Sequence, residues 1–166
     1  LNIDDDTLVI GHVGRFVEQK NHRFLIDIFN EVHKQNEKSI LLLVGQGPLM
    51  DEIKEKVKSL GIEDCVKFLG QRNDISELYQ AMDVFCLPSL YEGLGMVLIE
   101  AQTAGCYCIA STEVPEKAKI IQKFKFIELT VDKNKWAKEI MKFKNDKERK
   151  SCLKDISDAC YSIKCE

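Results

Sequence analysis

The sequence lacks the features of several protein classes, and each absence narrows what the chain can be. Its apolar runs are no longer than short strands such as 40–44, far below the ~20 residues that span a bilayer. The first six residues are Leu-Asn-Ile-Asp-Asp-Asp, an acidic start that argues against a secretory signal. Because no Met begins the sequence, we expect the chain to be a piece of a longer protein.

A large excess of one charge is also missing. The chain has 24 Lys and Arg against 27 Asp and Glu, a net charge of −3, so it has no electrostatic footprint for nucleic acid. Positions 121–166 are nevertheless basic, with a net charge of +4, and the remainder carries −7. This basic end predicts either the solvated face of a Lys-rich helix or a contact with anionic lipid or another domain.

A metal-binding pattern is absent from the Cys and His residues. The seven Cys are an odd number without CxxC spacing, and the three His share no ligand spacing. We therefore expect no metal cofactor and a reducing, cytoplasmic compartment. His12 is expected at the end of a strand and His22 on the surface. Three Cys in apolar runs are expected in the core: Cys86, Cys106 and Cys108.

Short apolar runs alternate with stripes of helical periodicity along the chain. The predicted strands are 8–13, 40–44, 66–69, 84–87, 107–110 and 126–129. The predicted helices are 24–32, 49–60, 75–82, 93–104, 115–122, 133–143 and 147–163. This alternation predicts an α/β domain with a doubly wound parallel sheet over 1–145. Residues 146–166 would form a C-terminal helix that either packs on this domain or crosses to another.

Ligands of such sheets bind beyond the carboxyl ends of the strands, and two acids flank a glycine-rich turn at one of those ends. Gly93 and Gly95 are predicted to open a helix, with Glu92 just before it and Glu100 about two turns inside. A helix tip attracts an anion, and carboxylates accept hydrogen bonds from paired hydroxyls. The alternative is a plain strand-to-helix turn beside a surface Glu.

Two further loops lie at the same predicted edge. Gly14 ends the first strand, and Arg15 and Lys20 follow it, so these cations either clamp a diphosphate or remain solvated. The turn at 45–48 is too short for a P-loop. With Pro48 expected in the first helical turn, it is explained as a strand-to-helix connection.

Together these motifs resemble the C-terminal, donor-binding half of a retaining GT-B glycosyltransferase of family 4. Glu92 and Glu100, separated by seven residues, match that family's E-x7-E signature. The resemblance covers about 8–116. The ordered motifs that carry it are Arg15 with Lys20, the turn 45–48, Phe68-Leu69-Gly70, Asp83-Val84-Phe85, and Pro88-Ser89 through Glu92 to Glu100.

The resemblance implies a role for each matching residue. Arg15 and Lys20 would bind the donor's diphosphate, and Glu92 would face the donor sugar near its reacting carbon. Glu100 would accept hydrogen bonds from the ribose hydroxyls. The other implied donor-binding positions are Gly14, Gly45, Leu69, Gly70, Gly93, Leu94, Gly95 and Met96.

The implied activity is transfer of a sugar, with retained configuration, from a nucleotide-diphosphate donor to a hydroxyl acceptor. The expected donor is UDP-linked, and polysaccharide or glycolipid synthesis is the expected context. A missing N-terminal half would supply the acceptor contacts, and the whole protein would touch the inner membrane face peripherally. The chain departs from the family at Leu94, where an aromatic residue is common, and at 111–116, which lacks a Gly-Gly turn.

Two other functions remain open from the sequence. A catalytically inactive nucleotide-sugar binding module would share most of these motifs, although intact Lys20 and Glu92 argue against it. A flavodoxin-like regulatory domain would need an acidic phosphoacceptor cluster after the first strand. The chain has Arg15 at that position.

Overall fold

A computed structural model describes residues 3–143, which form one six-stranded sheet with helices on both faces. The strands are β1 (Leu8–Val13), β2 (Ser39–Val44), β3 (Val66–Gly70), β4 (Val84–Leu87), β5 (Tyr107–Ser111) and β6 (Phe124–Ile127). The helices are α1 (His22–Gln35), α2 (Met50–Ser59), α3 (Ile75–Gln80), α4 (Met96–Thr103) and α5 (Lys133–Met141). All neighbouring strands are parallel, in the order β3-β2-β1-β4-β5-β6. The predicted doubly wound, Rossmann-like fold is confirmed.

The central strands are buried on both faces, which explains why they form continuous apolar runs in the sequence. Every residue of β1, β4 and β5 is buried. Along β1, Leu8 and Ile10 pack in one core with α1, α2 and α5, whereas Val9 and Val13 pack in the other with α3 and α4. The alternation of side chains along a strand therefore distributes one apolar run between two cores.

The first turn of α4 begins later than the sequence predicts. Helix α4 starts at Met96, and Gly95 is its N-cap in the left-handed conformation, with a φ of +73°. The stretch from Gly93 to Gly95 is a turn outside the helix. Glu100 is consequently four residues from the start of α4, or about 6 Å along its axis, and not two turns inside.

The predicted first-turn position of Pro48 is also wrong. Helix α2 begins at Met50 with Leu49 as its N-cap, so Pro48 precedes the helix. It lies in a β-turn closed by the Met50 N–H, which donates to the Gly47 carbonyl at 3.1 Å. Proline suits this position because its fixed φ matches the second residue of such a turn.

The predicted helix at 115–122 is reduced to one 3₁₀ turn, Glu116–Ala118. The fully buried Gln102 of α4 explains the difference. Its Oε1 accepts hydrogen bonds from the Ile120 and Ile121 N–H groups at 2.9 and 3.1 Å, and its Nε2 donates to the Ala118 carbonyl at 2.8 Å. A side-chain amide thus binds backbone groups that a helix would have paired with each other.

Two histidines lie between β1 and α1, and the predicted surface position of His22 is wrong. His22 is 2% exposed and stacks on Phe16 with ring centroids 4.1 Å apart. His12, fully buried at the end of β1, donates from Nδ1 to the Cys86 carbonyl at 2.9 Å. Burial lowers the pKa of His12 to about 4 and that of His22 to about 2. Both rings are therefore neutral at pH 7.

The last described helix packs on the first. Trp136 of α5 is fully buried, and its ring meets Phe24 of α1 edge-on with centroids 5.7 Å apart. Its indole N–H donates to the Glu128 carbonyl at 3.3 Å. Across residues 3–143, no helix is both long and apolar enough to cross a membrane. The predicted helix at 147–163, and with it the separate segment 146–166, lies outside the described residues.

Replacement of Gln102 by Leu is expected to destabilise the fold by about 3 kcal/mol, because three backbone groups, two of them in buried hydrogen bonds, lose their partner. Urea unfolding followed by fluorescence of Trp136 measures the change. Gln35→Leu is the matched control, because Gln35 is exposed and its Nε2 makes one bond, to the Glu31 carbonyl. Equal midpoints for the two variants would contradict the structural role of Gln102.

The two buried histidines predict a loss of stability in acid. Their folded pKa values are below the unfolded value of 6.5, so the unfolded chain binds more protons as the pH falls from 6.5 to 4. Each histidine then removes about 3 kcal/mol from the free energy of unfolding. His22→Phe keeps the stacking on Phe16 and should flatten this dependence in urea unfolding at pH 7, 6 and 5. A slope identical to that of the unchanged chain would contradict the prediction.

Candidate active site

The loops after β1 and β4 meet at one edge of the sheet because these parallel strands are neighbours. The Leu90 N–H donates to the Gln19 carbonyl at 2.8 Å, and Asn21 Nδ2 donates to the Pro88 carbonyl at 3.1 Å. Asn21 has a φ of +54°, which is uncommon for a residue with a side chain. These contacts join the two loops over a distance of about 70 residues in sequence.

Lys20 and Glu92, the two residues singled out in these loops, are in direct contact. Lys20 Nζ lies 2.6 Å from Glu92 Oε1, and the two side chains are only 15% and 6% exposed. Ser89 Oγ donates to the same oxygen at 2.7 Å, and Ser111 Oγ donates to the Ser89 carbonyl at 2.5 Å. Among residues 3–143, Glu92 Oε2 has no hydrogen bond, and the ammonium keeps two further donors.

Arg15 lies on the other side of the same edge, in a cleft of about 590 Å³. Its side chain is exposed and forms no ion pair within the described part of the chain. The guanidinium is therefore available to an anion, with its fork of donors unused. The cleft is lined by Arg15, Gly45, Gln46, Gly47, Pro48 and Gln71.

The glycines beside this cleft allow the connections of β1, β2 and β3 to pack backbone against backbone. Gly45 has a φ of +134°, and a Cβ there would lie 2.1 Å from the Gly14 carbonyl oxygen. Its N–H donates to the carbonyl of Gly70, at the end of β3, at 2.8 Å. Close packing therefore explains Gly45 without a ligand. Leu69, the other position predicted in this region, packs its side chain against the α3–α4 core.

The N-terminus of α4 is the third component of the edge. A Cβ at Gly93 would meet no atom within 4 Å, so this turn faces open space. The amide of Met96 has no carbonyl partner in the preceding turn of the helix, and the Met96 side chain is 49% exposed. Leu94 lies between them and is half-buried. The turn can therefore offer backbone donors to an anion.

The segment 111–116 approaches α4 even though it lacks the Gly-Gly turn. Val114 is 2% exposed, and its Cγ1 would lie 3.6 Å from a Cβ built on Gly95. The Val114 N–H donates to the Ser111 carbonyl at 3.1 Å, which closes a tight turn. The apolar side chain of Val114 thus packs against Gly95, the N-cap of α4.

Glu100 has a partner that the sequence did not predict. Its Oε2 accepts a hydrogen bond from the hydroxyl of Tyr79, on α3, at 2.9 Å. Within residues 3–143, Glu100 shares no hydrogen bond with Arg15, Lys20 or Glu92. The two acids of the E-x7-E pair are therefore held by different elements. The contacts of Ser89, which belongs to the Pro88-Ser89 motif, and of Asn21 were not predicted, because they depend on the tertiary structure.

The described residues contain no cluster of three or more side chains that could hold a metal ion. The charged groups at this edge include Arg15, Lys20, Glu92 and Glu100. Two cations and a helix N-terminus can stabilise phosphate oxygens, while two carboxylates can accept hydrogen bonds from hydroxyl groups. The arrangement suits a ligand that carries both kinds of group.

Comparison with known proteins shows that the chain is similar to glycosyltransferases. EpsF of Bacillus subtilis (strain 168) is 46% identical over 112 residues, 68% of this chain and 29% of EpsF. The UDP-Gal:alpha-D-GlcNAc-diphosphoundecaprenol alpha-1,3-galactosyltransferase of Escherichia coli is 34% identical over 114 residues, 67% of this chain and 30% of the enzyme. The chain thus spans about three-tenths of the length of these relatives.

The fold is shared with solved glycosyltransferase structures. Anabaena HepE in complex with UDP and glucose superposes with a TM-score of 0.77 at 23% identity, over 95% of this chain and 44% of HepE. This likeness identifies the sheet as one Rossmann-like half of the GT-B fold. Residues 1–157 also match the model of a family described as Glycosyl transferases group 1. The chain therefore belongs to the group 1 glycosyl transferases.

Proposed function

We propose that this chain is the donor-binding half of a retaining, family 4 glycosyltransferase that acts on a nucleotide-diphosphate sugar. The observation that carries the proposal is that Arg15, the N-terminus of α4 and the Lys20–Glu92 pair all lie along the carboxyl edge of one sheet. The named donor of the E. coli relative is UDP-Gal, and HepE was solved with UDP. Both favour a uridine diphosphate donor for this chain. A hydroxyl acceptor in polysaccharide or glycolipid synthesis completes the reaction.

The chemistry follows from where charge develops. When the sugar leaves, the diphosphate gains negative charge, and preorganised cations and amides lower the barrier by stabilising that charge. Arg15 offers a planar fork of donors, and Lys20 offers two donors beyond the one that binds Glu92. These groups neutralise the diphosphate without a divalent ion. We accordingly propose a metal-independent reaction.

Glu92 would orient the donor sugar and support positive charge at its anomeric carbon. Its Oε1 already accepts hydrogen bonds from Lys20 and Ser89, so Oε2 is the atom left for a sugar hydroxyl. A carboxylate engaged by a cation is a weaker nucleophile than a free one. This engagement favours an electrostatic role for Glu92 over a double displacement through it.

The remaining residues would bind the nucleotide and complete the enzyme. Glu100 would accept the ribose hydroxyls, and Gly14, Gly45, Leu69 and Gly70 would line the nucleotide. The N-terminal half of the full-length protein would supply the acceptor contacts. A cytoplasmic protein with peripheral membrane contact fits a sugar nucleotide donor and the free thiols of Cys65, Cys86, Cys106 and Cys108.

Calorimetric titration of the chain with UDP, GDP and ADP tests the donor assignment. We expect UDP to bind with and without magnesium. Lys20→Ala should weaken that binding about 10- to 100-fold, because a charged hydrogen bond to phosphate is lost. Glu100→Ala should weaken it about tenfold.

The controls for this titration remove a lysine and a glutamate that lie away from the candidate site. Lys56→Ala breaks the Lys56–Asp27 ion pair at 2.8 Å, and Glu139→Ala removes the acceptor of the Tyr107 hydroxyl. Neither should change the affinity for UDP. Because Lys20→Ala leaves a buried carboxylate, Lys20→Ala with Glu92→Gln is measured as well. Unchanged UDP binding in every variant, or no sugar transfer or hydrolysis by the full-length protein, would contradict the proposal.

If Arg15 binds phosphate, its removal should weaken the binding of a charged nucleotide and leave the binding of an uncharged nucleoside unchanged. Arg15→Ala is expected to weaken UDP binding about tenfold, because an unpaired guanidinium no longer faces the diphosphate. Uridine, which has no phosphate, should bind equally to both forms in the same titration. Arg72→Ala is the matched control, because Arg72 is paired with Asp74 outside the cleft. Equal losses for UDP and uridine would show that Arg15 shapes the cleft and does not bind phosphate.

A further inference from the structure

The hydrogen bond between Tyr79 and Glu100 joins a buried donor to an exposed acceptor. Tyr79 is 2% exposed, whereas Glu100 is on the solvent-facing side of α4. The Tyr79 hydroxyl donates to Glu100 Oε2 at 2.9 Å. An exposed glutamate normally samples several rotamers, and fixing one costs up to about 2 kcal/mol of side-chain entropy. This bond restricts that freedom in the free protein.

Tyr79 is itself held rigidly from several directions. Its ring meets Phe85 of β4 edge-on, with centroids 5.6 Å apart. Its carbonyl accepts hydrogen bonds from Cys106 Sγ at 3.1 Å and from the Met82 N–H at 3.2 Å. The phenol therefore projects from the core to the surface at a fixed position.

Tyr79 holds the Glu100 carboxylate without help from a positively charged side chain of the described residues. Within the described residues, Glu100 forms no ion pair, so no cation competes with a ligand for the carboxylate. The tyrosine occupies one acceptor position on Oε2 and leaves Oε1 and the second lone pair of Oε2. Two adjacent hydroxyl groups can use those remaining positions.

From these observations we infer that Tyr79 is a positioning residue, which fixes the Glu100 carboxylate for the two ribose hydroxyls of the donor nucleotide. The inference rests on the proposed function, because it takes a ribonucleotide as the ligand. A preorganised carboxylate loses less freedom on binding, so the bond should raise affinity without touching the ligand.

Calorimetry on the full-length protein tests this inference with UDP and with 2′,3′-dideoxy-UDP. Tyr79→Phe is expected to weaken UDP binding about three- to tenfold, the effect of one lost hydrogen bond. Dideoxy-UDP, which has no ribose hydroxyls, should bind equally to both forms. Tyr107→Phe is the matched control, because its hydroxyl bonds Glu139 at 3.3 Å and its ring packs in the core on the opposite face of the sheet. It should change neither affinity.

Glu100→Ala separates this inference from the proposed function. In that background, Tyr79→Phe should cause no further loss of UDP affinity, because its target is gone. A loss for UDP with Glu100→Ala but none with Tyr79→Phe would overturn the role of Tyr79 alone. Equal losses for UDP and dideoxy-UDP with Tyr79→Phe would also overturn it, by showing a general structural effect. If Glu100→Ala leaves the difference between the two ligands unchanged, the ribose assignment of the proposed function fails.

Discussion

Lys20 and Glu92 are 72 positions apart in sequence, and their charges meet at 2.6 Å because β1 and β4 are neighbours in the sheet. Both side chains are largely buried, so each charge is costly to desolvate without the other. The pair gains two supports from the same loops, the hydroxyl of Ser89 and the left-handed turn at Asn21. Any separation of the two loops would leave a charge unpaired. The relative position of these loops is thereby restricted.

The strand order explains why the candidate site lies at this point. The chain runs outward from β1 to β3 and then returns to β4 on the other side of β1. Helices α1 and α4 consequently pack on opposite faces, and the loops that enter them contact each other at the carboxyl edge. Such a reversal of strand order opens a crevice in doubly wound sheets. At Gly45, direct packing of one loop backbone on the next leaves no room for a side chain beside the crevice.

The sheet was predictable from the sequence because its strands are buried on both faces, so β1 and β4 have the expected bounds. Segments governed by tertiary contacts were not. The side chain of Gln102 binds the backbone at 118–121, and no local pattern indicates this. His22 was expected at the surface because polar residues usually are, but the ring of Phe16 covers it. Lys20 and Glu92 could be selected by residue type and position, whereas their contact depends on the strand order.

The two acids of the E-x7-E pair are held in the same way by different kinds of donor. Each has one oxygen fixed, Glu92 by Lys20 and Ser89 and Glu100 by Tyr79. In the proposed reaction, the cation beside Glu92 would also face the diphosphate and so couple the acid to the group that gains negative charge. A cation at Glu100 would compete with hydroxyl groups for the carboxylate. A neutral phenol fixes the side chain and leaves its remaining acceptor positions to the ligand, which suits the ribose recognition that we propose for Glu100.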